Sequence, residues 1–352
     1  MRFMRFSWFE FIYFHFYLYS VAMKHTFLYC LLFAFGLLAA CHTDSSAPAS
    51  GGSPLRLLTD DNPAWQYENL RLYPVLADAA LATQQSGLSQ MKTLSEGMKM
   101  PGFRITEQKM FGRSDERSYQ ILTVQNKSRD TIFLMSGDVV TGGKQDRVIA
   151  QDQIVAPHTV RNIDVYCVEK DRWNFSDTAA TPQERAICAF RGYYNVASPQ
   201  VRRAAQRGDS QSAVWSAVAR VTSANGADSH TSTYAALEGA PDSKSRRDAY
   251  LQHLAPALKD LPHVVGVVAV SGDQVIGVDV FGHPDLFRRA FPALLHGWAV
   301  EAAASGAAPV LGASSVQAAF AQVARLSDPQ AAASKHAGRL HHKGRWVHLY
   351  GM

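Results

Sequence analysis

Between Ser136 and Arg147 the chain reads Ser-Gly-Asp-Val-Val-Thr-Gly-Gly-Lys-Gln-Asp-Arg, its densest run of residues able to do chemistry. Glycines let backbone N–H groups come close to an anion, and Lys144 and Arg147 would add positive charge. The run is not a nucleotide-binding P-loop. Five residues separate Gly137 from Gly143-Lys144 where that motif has four, and Gln145 lacks the hydroxyl that holds Mg²⁺. The same glycines also suit a tight connection between two strands, where they only supply positive φ.

Further along, Cys167-Val168-Glu169 and Arg172-Trp173 gather a thiol, a carboxylate, a guanidinium and an indole at the end of one strand. Cys167 could be a reactive thiol whose pKa Arg172 lowers, or half of a disulfide with Cys188, which an exported chain favours. Closing that loop of about twenty residues would stabilise the fold by roughly 3 kcal/mol in the chain-entropy account. Asp138 and Glu169 are the candidate catalytic carboxylates, although a general base also needs reach and a suitable pKa. Asp279 interrupts an apolar strand, so it must be paired or face a cleft, and a structural ion pair is the commoner outcome. The candidate ligand-binding residues are Gly137, Asp138, Gly143, Lys144, Gln145, Arg147, Glu169, Arg172, Trp173 and Asp279.

His341, His342 and His348 gather near the C-terminus, but adjacent strand residues point to opposite faces. No HExxH, paired CxxC or EF-hand spacing occurs either, so no metal and no cofactor is expected. A GxSxG nucleophile elbow is absent. The pairs Arg202-Arg203, Arg246-Arg247 and Arg288-Arg289 fall on expected helices and read as solvated faces. The 352 residues carry +5, with +2 in the first 40, so the body is too weakly basic for a nucleic-acid binder.

These residues need elements to hold them. An apolar content of 47% and only four cysteines exclude a disordered chain and a disulfide-framework miniprotein. Strand alternation runs through 70–76, 103–107, 118–126 and 131–135, the last expected to pair with 118–126 across a turn at 126–130. Further strands are expected at 147–149, 153–155 and 160–168, with a helix near 77–92. From about 196 the period lengthens. Ser198-Pro199 starts a helix to Arg207, Ser210 caps another carrying Val214, Val218 and Val221, and a third spans 243–258. The valine-rich run 264–270 is a buried strand whose antiparallel partner is 274–281. Pro284 should open a short helix and Pro292 a second. Ser314 or Ser315 caps another to about Leu326, and 339–350 closes the chain as a hairpin around Lys343-Gly344. The fold class is α+β: a β-rich N-terminal half (lobe 67–175), then a mixed α/β half (lobe 195–350) with an antiparallel strand pair and packed helices.

The N-terminus reads as an address. Residues 1–22 are aromatic-rich and Met23 is the expected true start. Lys24 and His25 form a short positive region, 26–37 an apolar one, and Leu38-Ala39-Ala40-Cys41 a lipobox whose cysteine accepts lipid. The apolar run is shorter than the ~20 residues that span a bilayer. Residues 1–40 are thus a signal region, and from Cys41 to residue 66 the chain is a lipidated, polar tether. The expected location is the cell envelope, at the periplasmic face of the outer membrane, because His42 stands where an Asp would favour inner-membrane retention. The membrane is the expected partner, through lipid on Cys41; nucleic acid is not.

Asn69-Leu70 with Tyr73-Pro74, Ser136-Gly137-Asp138, Gly143-Lys144-Gln145-x-Arg147, Cys167-Val168-Glu169 with Arg172-Trp173, Ala213-Val214-Trp215, and 266–281 together resemble one known family. It is the domain associated with ADP-ribosylglycohydrolases and rhodanese-phosphatase superfamily proteins. Where members often carry Asn, this chain has Asp146, which removes a donor and adds a negative charge. The resemblance implies a role in handling NAD-derived ADP-ribose compounds and carries over no catalytic mechanism. It favours a functional 136–147 loop and weakens the disulfide, since a matching cysteine occurs in relatives expected to be cytosolic. The expected function is binding of an anionic or sugar-containing small molecule. The alternatives are a hydrolase acting on such a molecule and an envelope interaction protein without a small-molecule site.

Overall fold

The computed structural model describes residues 53–107, 119–172, 189–227, 229–334 and 336–351. The folded unit begins at Pro54, and Cys41, Trp173 and Cys188 lie outside the described residues. Among the described residues the strands are arranged in three sheets.

The largest sheet is antiparallel and centred on β13 (Val264–Ser271). Its neighbours are β3 (Leu70–Ala77) and β14 (Gln274–Phe281), with β16 (Arg345–Gly351) and β15 (Ala337–His342) beyond β14, and β1 (Leu55–Leu57) and β2 (Gln66–Tyr67) on β3. All eight residues of β13 are buried because both faces are covered. Val267 and Ala269 pack toward α6 (Pro284–Ser305), while Val268 and Val270 pack toward α7 (Ala313–Ala324). The unbroken apolar run thus follows from a strand between two helical layers.

The second sheet runs β12 (Phe190–Val196), β8 (Asp138–Gly142), β9 (Arg147–Ile149), β11 (Thr159–Cys167), β6 (Ile121–Asn126), β5 (Phe103–Glu107). The third is β10 (Gln153–Val155), β7 (Ile132–Leu134) and β4 (Lys92–Thr93). Leu122, Val124, Val140, Ile149 and Val165 of the second sheet meet Ile132, Leu134 and Val155 of the third, making a small sandwich. Its other large face, with Val139 and Val148, is covered by α3 (Pro199–Gln206) and α4 (Gln211–Ala224). Phe133 and Met135 of the third sheet's segment pack against α6, which joins the sandwich to the large sheet.

The α+β class and most strands match expectation, but four features differ. First, β7 does not pair with β6; it pairs with β10 and, in parallel, with β4. Asn126 explains this, because its amide donates to the carbonyls of Asp130, Val155 and Ala156 and so carries the chain across the sandwich. Second, β3 belongs with the C-terminal strands and β12 with the sandwich, so the sheets do not divide at the expected lobe boundary. Third, Pro284 and Pro292 share one 22-residue helix. Pro292 is exposed, so the carbonyl it leaves unbonded faces water while Phe291, Leu294, Leu295 and Trp298 keep the buried stripe intact. Fourth, the helix expected near 77–92 is short: α1 (Ala79–Gln84), capped by Asp78, then a 3₁₀ turn (Ser86–Leu88). α5 spans Pro241–Leu254, and α2 (Leu94–Gly97) is capped by Thr93 and Glu96.

Gly137 precedes β8 with φ of +94°, and a Cβ there would lie 2.7 Å from two carbons of the Arg202 side chain. Both facts forbid a side chain. Gly137→Ala is expected to cost about 2–3 kcal/mol, read as a lower urea midpoint with unchanged slope. An unaltered midpoint would show that this turn does not constrain the fold.

Candidate functional site

The glycine turn between β8 and β9 is as tight as its sequence suggests. Gly142 and Gly143 have φ of +116° and +58°, and a Cβ on Gly143 would lie 2.6 Å from the Phe190 ring and 2.8 Å from Glu107. Its backbone N–H groups do point at anions, as in a ligand cradle. Those anions are the protein's own carboxylates. Gly142 donates to Asp146 at 2.9 Å, Lys144 to Glu107 at 2.9 Å, and Asp146 to Glu169 at 3.1 Å.

The cations of the motif are committed in the same way. Arg147 is wholly buried and pairs with Glu107 at 3.3 Å, while also donating to the Gln145 carbonyl at 2.6 Å. Arg172 grips Glu169 through Nε at 2.9 Å, donates to the carbonyls of Gly143 and Gly142 at 3.1 and 3.4 Å, and meets Asp146 at 3.1 Å. The bond to Glu169 raises the Arg172 pKa further. Gln145 donates to the Lys170 carbonyl at 3.0 Å, and Lys144 Nζ sits 5.6 Å from the centre of the Tyr119 ring. Asp146 accepts from Gly142, Arg172 and the Thr233 hydroxyl, so an acid here is the hub of a strap. Burial nevertheless pushes its pKa up.

Cys167 is a free, buried thiol, and its proposed partner Cys188 lies outside the described residues. Burial pushes the thiol pKa up, against the lowering effect of Arg147, which disfavours the thiolate. Arg172 is fully engaged elsewhere. Trp173, a candidate ligand-binding residue, also lies outside the described residues.

Asp279 stands apart from this strap, in the large sheet, with no measurable exposure. Arg202 of α3 approaches its two oxygens at 2.7 and 3.0 Å, and His348 of β16 approaches at 3.1 Å. The other nitrogen of His348 lies 2.7 Å from Asp152, whose second oxygen accepts from the Ser136 backbone at 2.8 Å. Phe281 stacks on the imidazole at 4.4 Å. Burial opposes charge on Asp279, but Arg202 and then His348 outweigh it and hold the carboxyl down at about 2. Burial likewise opposes a charged imidazole, and the carboxylates of Asp152 and Asp279 reverse that and raise His348. Both ring nitrogens face carboxylates, so the imidazolium form donates twice. Among the described residues no group of His, Cys, Asp and Glu is placed to hold a metal ion.

Asp138 occupies a third place. Its oxygens accept from the Met135 backbone at 2.7 Å and the Tyr193 hydroxyl at 2.8 Å. Burial dominates those bonds and lifts its pKa to about 7. Burial, then the neighbouring carboxylate, push the Tyr193 phenol well above its usual value, so it remains a donor. Beside them is a recess of about 20 Å³, the room one water needs, lined also by Thr93, Ser95 and Arg289. Arg289 donates to the carbonyls of Ser89 and Met91 at 2.7 Å, which fixes the recess against α6.

The structure therefore joins Gly143, Lys144, Gln145, Arg147, Glu169 and Arg172 in one strap, and places Asp138 and Asp279 elsewhere. The family model of the ARG and Rhodanese-Phosphatase-superfamily-associated Protein domain, ARPP-1, matches residues 60–350. The chain belongs to that family. No curated protein and no solved structure matches it. The ARPP-1 domain takes in the strap, the Asp279 group and the Asp138 recess together.

Sequence reasoning missed Arg202, Asp152, His348, Tyr193 and Glu107. Arg202 is not on a solvated face: with Val201 and Ala205 it forms the buried side of α3. Arg247 is buried as well and pairs with Glu238, and Arg289 binds carbonyls, whereas Arg246 and Arg288 are exposed as expected. The readable signal was helical spacing, since residue 202 is three before Ala205 and so shares its face.

Two outcomes follow from the charges. Asp279→Ala leaves Arg202 without its counter-charge and His348 with Asp152 alone, and is expected to destabilise the ARPP-1 domain by about 3–5 kcal/mol. Chemical denaturation measures this, and a loss under 1 kcal/mol would contradict it. Asp138 and His348 both hold protons more tightly when folded. Stability from His348 is complete below about 6.5 and is lost as pH climbs through its raised value; stability also falls as pH rises from about 4 to about 7 because Asp138 must ionise while buried. Asp279 acts oppositely, contributing above about 4 and failing as pH drops toward 2. The denaturation midpoint is expected to be higher at pH 5 than at pH 8, with the difference reduced in Asp138→Asn.

Proposed function

We propose that this ARPP-1 protein is a lipid-anchored envelope hydrolase in which the Asp138 recess holds the water that attacks a small, anionic, sugar-containing molecule. The observation that carries the reading is a buried carboxyl, held near pH 7, beside a space that fits one water. A base with that pKa exists in both forms at neutral pH, which suits it to take a proton from water and return it to a leaving group. Tyr193 keeps the carboxyl oriented, and Arg289, paired with Glu96 and bound to the Ser89 and Met91 carbonyls, lines the recess. The association of the family with ADP-ribosylglycohydrolases supports a glycosidic bond in an ADP-ribose compound as the target.

The anchoring part of the reading rests on sequence. The family match begins at residue 60 and the folded unit at Pro54, which leaves the lipobox and the polar stretch 42–53 ahead of them. Residues 55–66, expected as tether, instead supply β1 and the buried Leu57, Leu58 and Trp65 to the fold. Among the described residues no helix is long and apolar enough to cross a membrane. A second reading, binding without turnover, is favoured by one feature: both Asp138 oxygens already accept hydrogen bonds.

Hydrolysis is tested by product analysis with ADP-ribose, NAD and ADP-ribosylated peptides. Wild type should turn over one of them with an acidic limb near pH 7, and Asp138→Asn should lose at least about 100-fold in kcat. Full activity in that variant would remove Asp138 as the base, and binding without product would favour the second reading. Anchoring predicts that Cys41→Ser abolishes incorporation of labelled palmitate and releases the protein from the membrane fraction.

A further inference from the structure

A larger recess is lined in part by residues just before Thr93 and Ser95, which border the Asp138 recess. It measures about 200 Å³ and is enclosed by three distant pieces of chain: Gly87 to Met91, the turn Arg129-Asp130-Thr131, and the hairpin tip at His342, Lys343 and Arg345. Its walls are tied together. Lys92 donates to the Thr131 carbonyl at 3.0 Å, and β4 runs parallel to β7 directly beyond. Arg345 is held by a bond from Nε to the Gln84 carbonyl at 3.2 Å, and its guanidinium lies so close to Gly87 that a Cβ there would sit 3.3 Å away.

The charge in this groove is lopsided. Arg129, Lys343 and Arg345 face a single acid, Asp130. Burial and the nearby Lys343 push His342 down, so it adds a neutral donor or acceptor. Lys343 occupies a tight hairpin position with φ of +49°, followed by Gly344 at +77°. Asn or Gly is the favoured residue for such a backbone, so a lysine here keeps a cation at the tip against local preference.

We propose that this groove binds the phosphomonoester of a small sugar phosphate. Arg129, Lys343 and the free end of the Arg345 guanidinium hold the dianion, whose charge their net excess of two matches. Asp130 and Gln90 accept and donate to the hydroxyls of the attached sugar. The site is separate from the Asp138 recess, and binding is read without turnover, so it stands whether or not hydrolysis occurs there.

Titration calorimetry of the purified full chain with ribose 5-phosphate, inorganic phosphate and ribose tests it. Ribose 5-phosphate should bind, phosphate more weakly, ribose not at all, and affinity should fall with added salt. Lys343→Asn, which suits the hairpin backbone, combined with Arg129→Gln should weaken binding by about tenfold or more without lowering the melting temperature. Absence of heat from ribose 5-phosphate, or unchanged affinity in the double variant, overturns the proposal. Flotation with vesicles containing phosphatidic acid provides the other arm. Capture by vesicles alone, abolished by the same variant, would assign the groove to a lipid headgroup and overturn the sugar phosphate.

Discussion

A carboxylate with no exposure must be neutralised where it sits, and Asp279 meets that constraint by drawing three parts of the chain together. Arg202 comes from α3, His348 from β16, and through His348 the group reaches Asp152 of the sandwich. Two carboxylates, one guanidinium and one imidazolium balance, so the group is neutral although each member alone would be costly. The long Arg202 side chain crosses Gly137, which can have no side chain for that reason. The turn at Ser136 and Gly137 in turn sets where Asp138 enters the fold. The recess beside Asp138 therefore inherits its position from ion pairs on the opposite side of that turn.

The strap around residues 142–147 solves a different problem with similar residues. A glycine turn leaves N–H and C=O groups unpaired, and a buried turn has to satisfy them from elsewhere. Glu107, Glu169 and Asp146 take the N–H groups, and Arg172 takes the carbonyls of Gly142 and Gly143. A loop that binds phosphate and a loop that binds its own carboxylates share one composition, because both present N–H groups to negative charge. What separates them is where the acids lie, and Glu107 is far away in sequence.

That distinction measures how much could be read from residues alone. Alternation located β3, β5, β6 and β11, and the apolar run located β13, since faces are set by local spacing. Pairing was not local. The partner of β7 depended on the contacts of Asn126, and the two expected helices at Pro284 and Pro292 merged because a single buried stripe passes through both. Asp279 stood out as an acid in an apolar strand, but its counter-charge sat on a helix whose neighbouring arginine is only half-buried. Tyr193, within a run of polar and aromatic residues, gave no sign of its place beside Asp138. Families of spacing therefore reveal which residues need partners, while the identity of the partner is a property of the folded chain.

Asp138 is the carboxyl that this economy of charge leaves over. Arg202 is nearest in influence among the cations and lowers its pKa, but it is already paired with Asp279, and Asp152 works in the opposite sense. Hydrogen bonds from Met135 and Tyr193 are what remain, and they do not overcome burial. A structural acid would be expected to have a cation of its own, as Glu107, Glu169 and Asp279 do. A fold that pairs its other buried acids and yet leaves one carboxyl without a cation beside a water-sized space accepts lower stability at ordinary pH, because burying that group disfavours the ionised form that water would stabilise.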